Sequence, residues 1–490
     1  MNDDAGTADQ WVPAIAPDGP GNFVITWLDN RNGNYDIYAQ SYNSSGTPLG
    51  SNFKVNDDAG TANQIYPAIA MEGSGNFVIT WEDWRNDYPD IYAQRYNSSG
   101  TALGSNFKAN DDTKIAVQQH PAIALNGSGS FVITWEDWRN GSCDIYAQRY
   151  TSSGAALGSN FKVNDDDTGV AWQRCPAIAM DGSGNFVITW EKDRRSTSDI
   201  YAQRYNSSGV ALGSNFKVND DAVTAWQWCP AIAMDGSGNF VITWEDRRNG
   251  NSDIYAQRYN FSGTLLGSNF KVNDQVGAAY QYVPAIALDG SGNFVITWQD
   301  YRYGNWDIYA QRYNSSGTAL GSNFKTNDDA GTAYQYSPAI ALDGSRNFVI
   351  TWEDNRNGNS DIYAQRYNSS GNPIGSNYLV NNTQFASFAQ VNPAVAMNGA
   401  KIYYTWQDNR RAKGWDVYAN SMYFLRGDAN GDNKVNIADI VYLVSYLFKF
   451  GPEPKPELGI GDANCDGKVT VADIVYLVSY LFKHGPLPCP

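Results

Sequence analysis

Phe240-Val241-Ile242-Thr243-Trp244-Glu245-Asp246 decides the fold, because the chain repeats this stretch in eight variants. Its tryptophan falls at Trp27, Trp81, Trp135, Trp190, Trp244, Trp298, Trp352 and Trp406. The spacing is 54 residues, with a single 55 where the run Asp165-Asp166-Asp167 holds an extra Asp. A fixed period of this size signals stacked copies of one supersecondary unit. Phe240 to Trp244 is β-branched and aromatic, which reads as a strand. Before it, Pro230-Ala231-Ile232-Ala233 is a short apolar strand closed by the turn Asp235-Gly236-Ser237-Gly238. After a polar turn, Asp253 to Tyr259 alternates in period two, as a half-buried strand does. Phe270-Lys271-Val272-Asn273 then gives a short fourth strand.

Four antiparallel strands per repeat and eight repeats predict an all-β, eight-bladed β-propeller over residues 1–424. A linear β-solenoid is the alternative architecture. The small Ala-Ile-Ala strand suits the crowded centre, and the Trp and Tyr rings suit the space between blades. The last copy ends at Asp416-Val417-Tyr418-Ala419-Asn420-Ser421-Met422-Tyr423-Phe424, with no GSNFKVN segment after it. Blade eight is therefore expected to keep an open edge, covered by the tail or used by a neighbouring molecule. The chain opens at Met1-Asn2-Asp3-Asp4, which aligns with Asn56-Asp57-Asp58 inside a repeat. This reads as a mature or truncated form.

A net charge of −16 over 490 residues, with no basic stripe, argues against a nucleic-acid partner. No apolar run reaches membrane-spanning length, and no signal sequence is present. Five cysteines are too few for a disulfide framework. Cys175 and Cys229 hold equivalent positions in neighbouring repeats, too far apart to bridge on ordinary spacing, whereas Cys465 and Cys489 are candidates for a clasp.

Copies inside one chain can be compared with each other. Most positions barely change, and two windows change a great deal. One flanks the Gln before each PAIA and supplies Trp11, Trp172, Trp226, Trp228, Tyr280, Tyr282, Tyr334 and Tyr336. The other is the turn after the repeated Trp and supplies Trp84, Trp138, Tyr301, Tyr303, Trp306 and Trp415. In an up-and-down blade both windows lie on one side of the disk. Aromatic rings on exposed loops mark binding surfaces, and flat rings suit the C–H faces of sugars. The competing reading is that these rings plug a central funnel or have drifted. A carbohydrate and a protein ligand both remain open.

The Arg of each turn (Arg31, Arg85, Arg139, Arg194, Arg248, Arg302, Arg356, Arg410) follows an Asp by two residues in seven copies, with Lys192 in that place in the fourth. An Arg–carboxylate ring tying blades together is expected. Glu82, Glu136, Glu191, Glu245 and Glu353 recur at one position, with Leu28 and Gln299 in other copies. Eight equal copies offer no unique acid–base pair, and only His120 and His484 are present as histidines. The expectation is that the chain is not an enzyme. The Asn-Ser-Ser of Asn43, Asn97, Asn206, Asn314 and Asn368 fits a turn as well as a glycosylation sequon.

The tail, residues 425–490, holds GDANGDNKVNIADIVYLVSYLFK and GDANCDGKVTVADIVYLVSYLFK. Each begins with oxygen donors at calcium-loop spacing. The first set is Asp428, Asn430, Asp432, the carbonyl of Lys434, Asn436 and Asp439. The second is Asp462, Asn464, Asp466, the carbonyl of Lys468, Thr470 and Asp473. Two Ca2+ ions are expected. Loop position six is Asn433 or Gly467, and helical apolar spacing follows each loop until Gly451-Pro452 and Gly485-Pro486. These duplicated loop–helix segments, with Asp at position twelve, closely resemble a type I dockerin. The resemblance implies calcium-dependent attachment to a cohesin-like partner in extracellular or cell-surface bacterial assemblies that degrade polysaccharide. It maps recognition positions to Ile437, Ala438, Val444, Ser445 and Lys449, and to Val471, Ala472, Val478, Ser479 and Lys483. The near identity of the two sets implies docking in either of two orientations. Ile-Ala and Val-Ala stand where the family commonly has Ser-Thr. The propeller repeat also resembles repeats of uncharacterised bacterial surface proteins.

The leading expectation is a non-catalytic extracellular binding and assembly protein. The alternatives are a self-assembling subunit of a fibre or surface layer, and a polysaccharide-active enzyme.

Overall fold

In the computed structural model, residues 1–5, 113–115, 166–170, 195, 222–224, 275–278, 382–387, 400, 411–413, 424–425, 431–433, 455–457, 465, 467, 484, 487 and 489–490 lie outside the described residues. The expected Cys465–Cys489 clasp and Asp432 fall there. The rest forms eight antiparallel sheets in chain order, seven of four strands and a last one of three, followed by two helices. Within blade 5 the strands are Gln227–Met234, Phe240–Asp246, Asp253–Tyr259 and Phe270–Lys271. First strands of successive blades pack side by side, and that of blade 8, Gln390–Asn398, meets that of blade 1, Gln10–Pro17, so the ring closes. This is the eight-bladed propeller, and the solenoid alternative is discarded.

The repeated Trp drives the packing. Trp244 is fully buried against Val187, Ile200 and Ala202 of the preceding blade. A buried indole needs a partner for its N–H. In seven copies the Asp two residues later supplies it, as with Trp244 Nε1 donating to Asp246 Oδ2 at 2.8 Å. In the fourth copy Lys192 occupies that place, and Trp190 Nε1 donates instead to Gln173 Oε1 at 2.8 Å.

The same Asp holds the turn Arg. Arg248 donates through its backbone N–H at 2.9 Å and its Nε at 3.0 Å to Asp246 Oδ1, reaches Asp220 in the preceding linker at 2.7 Å, and lies 4.1 Å above the ring of Tyr255. Charge-assisted, two-pronged pairing of this kind fixes orientation. The expected Arg–carboxylate tie between blades is therefore present. Arg194, without its Asp, turns to Asp199. The Asn-Ser-Ser segments are turns: Asn97 Oδ1 accepts the N–H groups of Ser99 at 3.0 Å and Thr101 at 2.9 Å.

At the seam, Gln10 N–H donates to Trp415 O at 2.5 Å and Tyr403 Oη to Gly21 O at 2.6 Å. Blade 8 has only Gln390–Asn398, Lys401–Asp408 and Asp416–Tyr423, so its third strand is the outer edge among the described residues.

Candidate functional site

One residue per blade shapes the centre of the disk. Each first strand carries a β-bulge just after its buried Gln, as between Trp228 and Ala231. The residue before the repeated Pro sits there in the left-handed region: Val12, Tyr66, His120, Cys175, Cys229, Val283, Ser337 and Asn392, with φ between 50° and 54°. This region is disfavoured for side chains other than Gly, and more so before Pro. Strain of about 1–3 kcal/mol per position persists only where surrounding structure enforces it.

In several blades the recurring glutamate supplies part of the enforcement; Leu28, its counterpart in blade 1, cannot, and Tyr66 is left-handed all the same. Glu136 Oε1 accepts the N–H of Cys175 in the next blade at 2.9 Å, Glu245 that of Val283 at 2.8 Å, and Glu353 that of Asn392 at 2.8 Å. Gln299 does the same for Ser337 at 2.9 Å. The Glu position is thus an inter-blade clamp, which explains its recurrence.

The bulge side chains differ, and this breaks the symmetry. Val12, Val283, Ser337 and Asn392 line a cavity of about 360 Å³ that carries no charge. Blades 2 to 5 instead carry Tyr66, His120, Cys175 and Cys229 at the bulge, and each of these blades also holds a buried carboxyl, Glu82, Glu136, Glu191 and Glu245. Tyr66 and His120 rings lie 5.1 Å apart, so equivalent side chains of adjacent blades do meet here. Cys175 and Cys229 are free thiols.

Two of these carboxyls move in opposite directions. Burial pushes Glu191 up to about 8, reinforced by the nearby charge of Asp193 and eased by Arg174. Burial also acts on Glu136, but hydrogen bonds from His120, the Cys175 N–H and Gln119 outweigh it and hold that carboxyl below its ordinary range. His120, 3.2 Å from Glu136, is raised by the same hydrogen bond.

The aromatic residues of the two variable windows flank the bulge position and follow the repeated Trp in sequence. The structure brings them together in small groups. Ring centroids of Trp138 and Trp172 are 5.8 Å apart, Trp226 and Trp228 5.5 Å, and Tyr334 and Tyr336 5.9 Å. Tyr280, Tyr282, Trp306 and Tyr301 form a chain of contacts at 5.9, 5.3 and 4.9 Å. Trp11 meets Trp415 at 5.6 Å across the seam. Trp84 stands apart, its Nε1 donating to Glu82 at 2.9 Å. None of these rings is fully buried, and Tyr280, Trp84 and Tyr334 are about two-fifths exposed. Arg174 stacks on Trp172 at 4.3 Å and Arg247 on Trp228 at 4.5 Å, which stiffens two of the platforms.

The tail forms helices α1 (Ile437–Lys449) and α2 (Val471–Lys483), each preceded by an acidic loop. Asp439 accepts the N–H groups of Asn430 at 3.1 Å and Asn436 at 2.8 Å, and Asn436 caps α1 in a reciprocal box. Asp473 accepts those of Asn464 at 3.2 Å and Thr470 at 2.8 Å. The twelfth loop residue therefore clamps each loop onto its helix. Asp428, Asp439, Asp462 and Asp473 are all buried. Burial raises Asp473, and the charges of Asp462 and Asp466 add to the effect, an arrangement that a hard cation would relieve. Among the described residues no three His, Cys, Asp or Glu side chains form a ready-made metal cluster. The other oxygen donors at the expected loop positions are the side-chain amides of Asn430, Asn436 and Asn464, the Thr470 hydroxyl and the carbonyls of Lys434 and Lys468. Of the mapped recognition residues, Ile437, Ala438, Lys449, Val471, Ala472 and Lys483 are exposed, while Val444, Ser445, Val478 and Ser479 are half-buried. The mapping leaves out Val441 and Phe448 on α1 and Val475 and Phe482 on α2, each more than three-fifths exposed.

Fold and tail together define the class, a β-propeller joined to a duplicated calcium-loop module. Residues 426–482 are a dockerin type I domain by family comparison. Dockerin domains as a class bind calcium, engage cohesins and occur in extracellular cell-surface assemblies, and no helix here is long and apolar enough to cross a membrane. No curated protein matches the chain. Among solved structures it is similar to the polysaccharide lyase Uly1, at 12% identity and TM-score 0.47, covering 73% of this chain and 89% of that one. It is also similar to an α-L-arabinanase of Penicillium chrysogenum complexed with arabinobiose, at 11% identity and TM-score 0.39, covering 62% and 93%. Sqt1 of Chaetomium thermophilum follows at 10% identity and TM-score 0.46, covering 82% and 94%.

One expectation is corrected here. Absence of enzymatic activity was inferred from eight equal copies, but structures similar to this one include a lyase and an arabinanase. The premise fails physically as well, because Glu136 and Glu191 are equivalent in sequence and opposite in protonation tendency.

Proposed function

We propose that the chain is an extracellular component of a calcium-dependent, cohesin-organised assembly and that the mouth face of its propeller holds a polysaccharide. One observation supports this reading: the aromatic residues of the two variable windows meet in pairs and chains and stay partly exposed. Rings fixed by neighbours offer apolar platforms to sugar faces, while the Glu, Gln and Arg groups below offer hydrogen bonds. In this reading Asp428, Asn430, Asp432, Lys434, Asn436 and Asp439 hold one Ca2+, and Asp462, Asn464, Asp466, Lys468, Thr470 and Asp473 a second. The exposed faces of α1 and α2 would meet the cohesin. Depletion of the chain from solution by a panel of insoluble polysaccharides tests the claim. Binding to at least one is expected, and no depletion by any of them contradicts it.

A second reading, cleavage of the held polysaccharide, is favoured by the Glu136–Glu191 pair. Two carboxyls pushed to opposite sides of their usual range suit a base and an acid. Reducing-sugar release that Glu191→Gln abolishes would support it. No release from any bound polysaccharide would remove it.

A further inference from the structure

Arg174 and Arg247 lack the grip that the repeat gives its arginines. Turn arginines such as Arg248 and Arg302 each hold a buried Asp at 2.7 Å. Third-strand arginines hold a turn of the next blade, as Arg149 does through Ser208 O at 2.6 Å and Ser207 O at 2.7 Å. The nearest carboxylate to Arg174 among the described residues, that of Asp193, is 3.8 Å away, and the Arg174 side chain is 37% exposed. Arg247 has no ion pair among the described residues. Its Nη2 donates to Tyr282 Oη at 3.4 Å, and its Nε is buried without a partner.

Both residues belong to the variable windows. Arg174 stands where the next two copies have Trp228 and Tyr282, and Arg247 where other copies have Trp84, Trp138 and Tyr301. They belong to blades 4 and 5, whose first strands pack side by side. Each guanidinium rests on a half-buried indole, Arg174 on Trp172 at 4.3 Å and Arg247 on Trp228 at 4.5 Å. An aromatic face holds the planar fork without using its N–H donors. Trp138 and Trp226, the ring partners of Trp172 and Trp228, remain as platforms. The neighbouring carboxyls do not cancel the charge. Glu191, the strand partner of Arg174, is pushed up to about 8 by burial and is mostly protonated at neutral pH. Glu245, the strand partner of Trp228, is raised by burial as well and accepts the Val283 N–H.

We propose, building on the polysaccharide reading above, that Arg174 and Arg247 select an acidic polysaccharide by pairing with an anionic substituent on its sugars, a uronate carboxylate or a sulfate ester. A guanidinium fork meets either group with two parallel hydrogen bonds. The chain as a whole carries −16, so two cations without close carboxylates, set in windows otherwise rich in aromatic rings, are a local provision for an anion. Salt at physiological strength screens charge beyond about 8 Å, which lets the two arginines act against the distant acidic surface.

A microarray of matched polysaccharides, probed with the calcium-loaded full chain, tests this: xylan beside glucuronoxylan, methyl-esterified beside de-esterified pectin, and dextran beside dextran sulfate. Binding to the charged member of at least one pair is expected, at least about tenfold tighter than to its neutral partner, as for hydrogen bonds to a charged group. The uronate and sulfate pairs tell the two sources apart. Arg174→Gln with Arg247→Gln should remove the preference while the melting temperature is retained. Arg149→Gln with Arg312→Gln, the same change in net charge at arginines that hold turns, should keep it. Equal or tighter binding to the neutral member of every pair overturns the proposal and leaves the polysaccharide reading standing. Equal loss of the preference in both double variants also overturns it, because net charge is then the cause. Binding to no member of any pair overturns it too, and the depletion assay above then decides the polysaccharide reading.

Discussion

Glu136 accepts the backbone N–H of Cys175 across the boundary between blades 3 and 4 at 2.9 Å. One hydrogen bond thereby links three features that the sequence keeps apart: a recurring carboxylate, a strained residue before Pro, and the variable lining of the central mouth. The clamp allows side chains as different as Val, His and Cys to occupy a backbone position that would otherwise favour Gly.

Glu191 makes stability depend on pH in a defined direction. Glu191 is buried beside Asp193, Glu136 and Glu245, with Arg174 as the nearby cation. Its folded value lies above its unfolded value, so its favourable contribution is complete below the ordinary carboxyl range and is lost as pH rises towards 8. Glu191→Gln should flatten the melting profile between pH 5 and 9. At the upper end it should stabilise the chain by on the order of 2 kcal/mol.

The turn arginines are not equivalent. Arg248→Ala leaves the fully buried Asp246 without its cation and should cost about 3–5 kcal/mol in denaturant unfolding. Arg194→Ala, whose partner is Asp199 and whose side chain is more than a third exposed, should cost under about 1 kcal/mol. Equal effects would contradict the reading of Asp246 as the hub.

Calcium removal should act on the tail alone. Chelation is expected to reduce the helical signal of α1 and α2 and abolish cohesin capture, while the β-sheet signal persists. Asp439→Ala and Asp473→Ala should each weaken one site by about tenfold or more, because each residue also ties its loop to its helix. Calorimetric titration with Ca2+ reads both.

The ring of blades was legible because the Trp period is strict and each strand carries its own pattern. The three strands of the last sheet, among the described residues, were legible because no GSNFKVN segment follows Phe424 in the sequence. The aromatic rim followed from comparing copies. The mouth did not, because its logic is three-dimensional. Glu136 and Cys175 are 39 residues apart, and nothing in local periodicity marks a bulge residue as left-handed. A signal was present, though: the position before Pro reads Val, Tyr, His, Cys, Cys, Val, Ser and Asn in otherwise uniform copies. Equal spelling also hid unequal chemistry, since Glu191 differs from Glu136 only through neighbours such as Arg174, Lys192 and Asp193. On α1 and α2, family positions alone missed Val441, Phe448, Val475 and Phe482, whose exposure is a property of helix packing.

The central claim is that the aromatic rim holds a polysaccharide. Affinity electrophoresis through gels containing a soluble polysaccharide, with wild type run beside the Trp226→Ala, Trp228→Ala double variant, tests it most directly. The account predicts retardation of the wild type and a loss of at least about tenfold in affinity for the variant, with its melting temperature unchanged. Equal retardation of both proteins would contradict it.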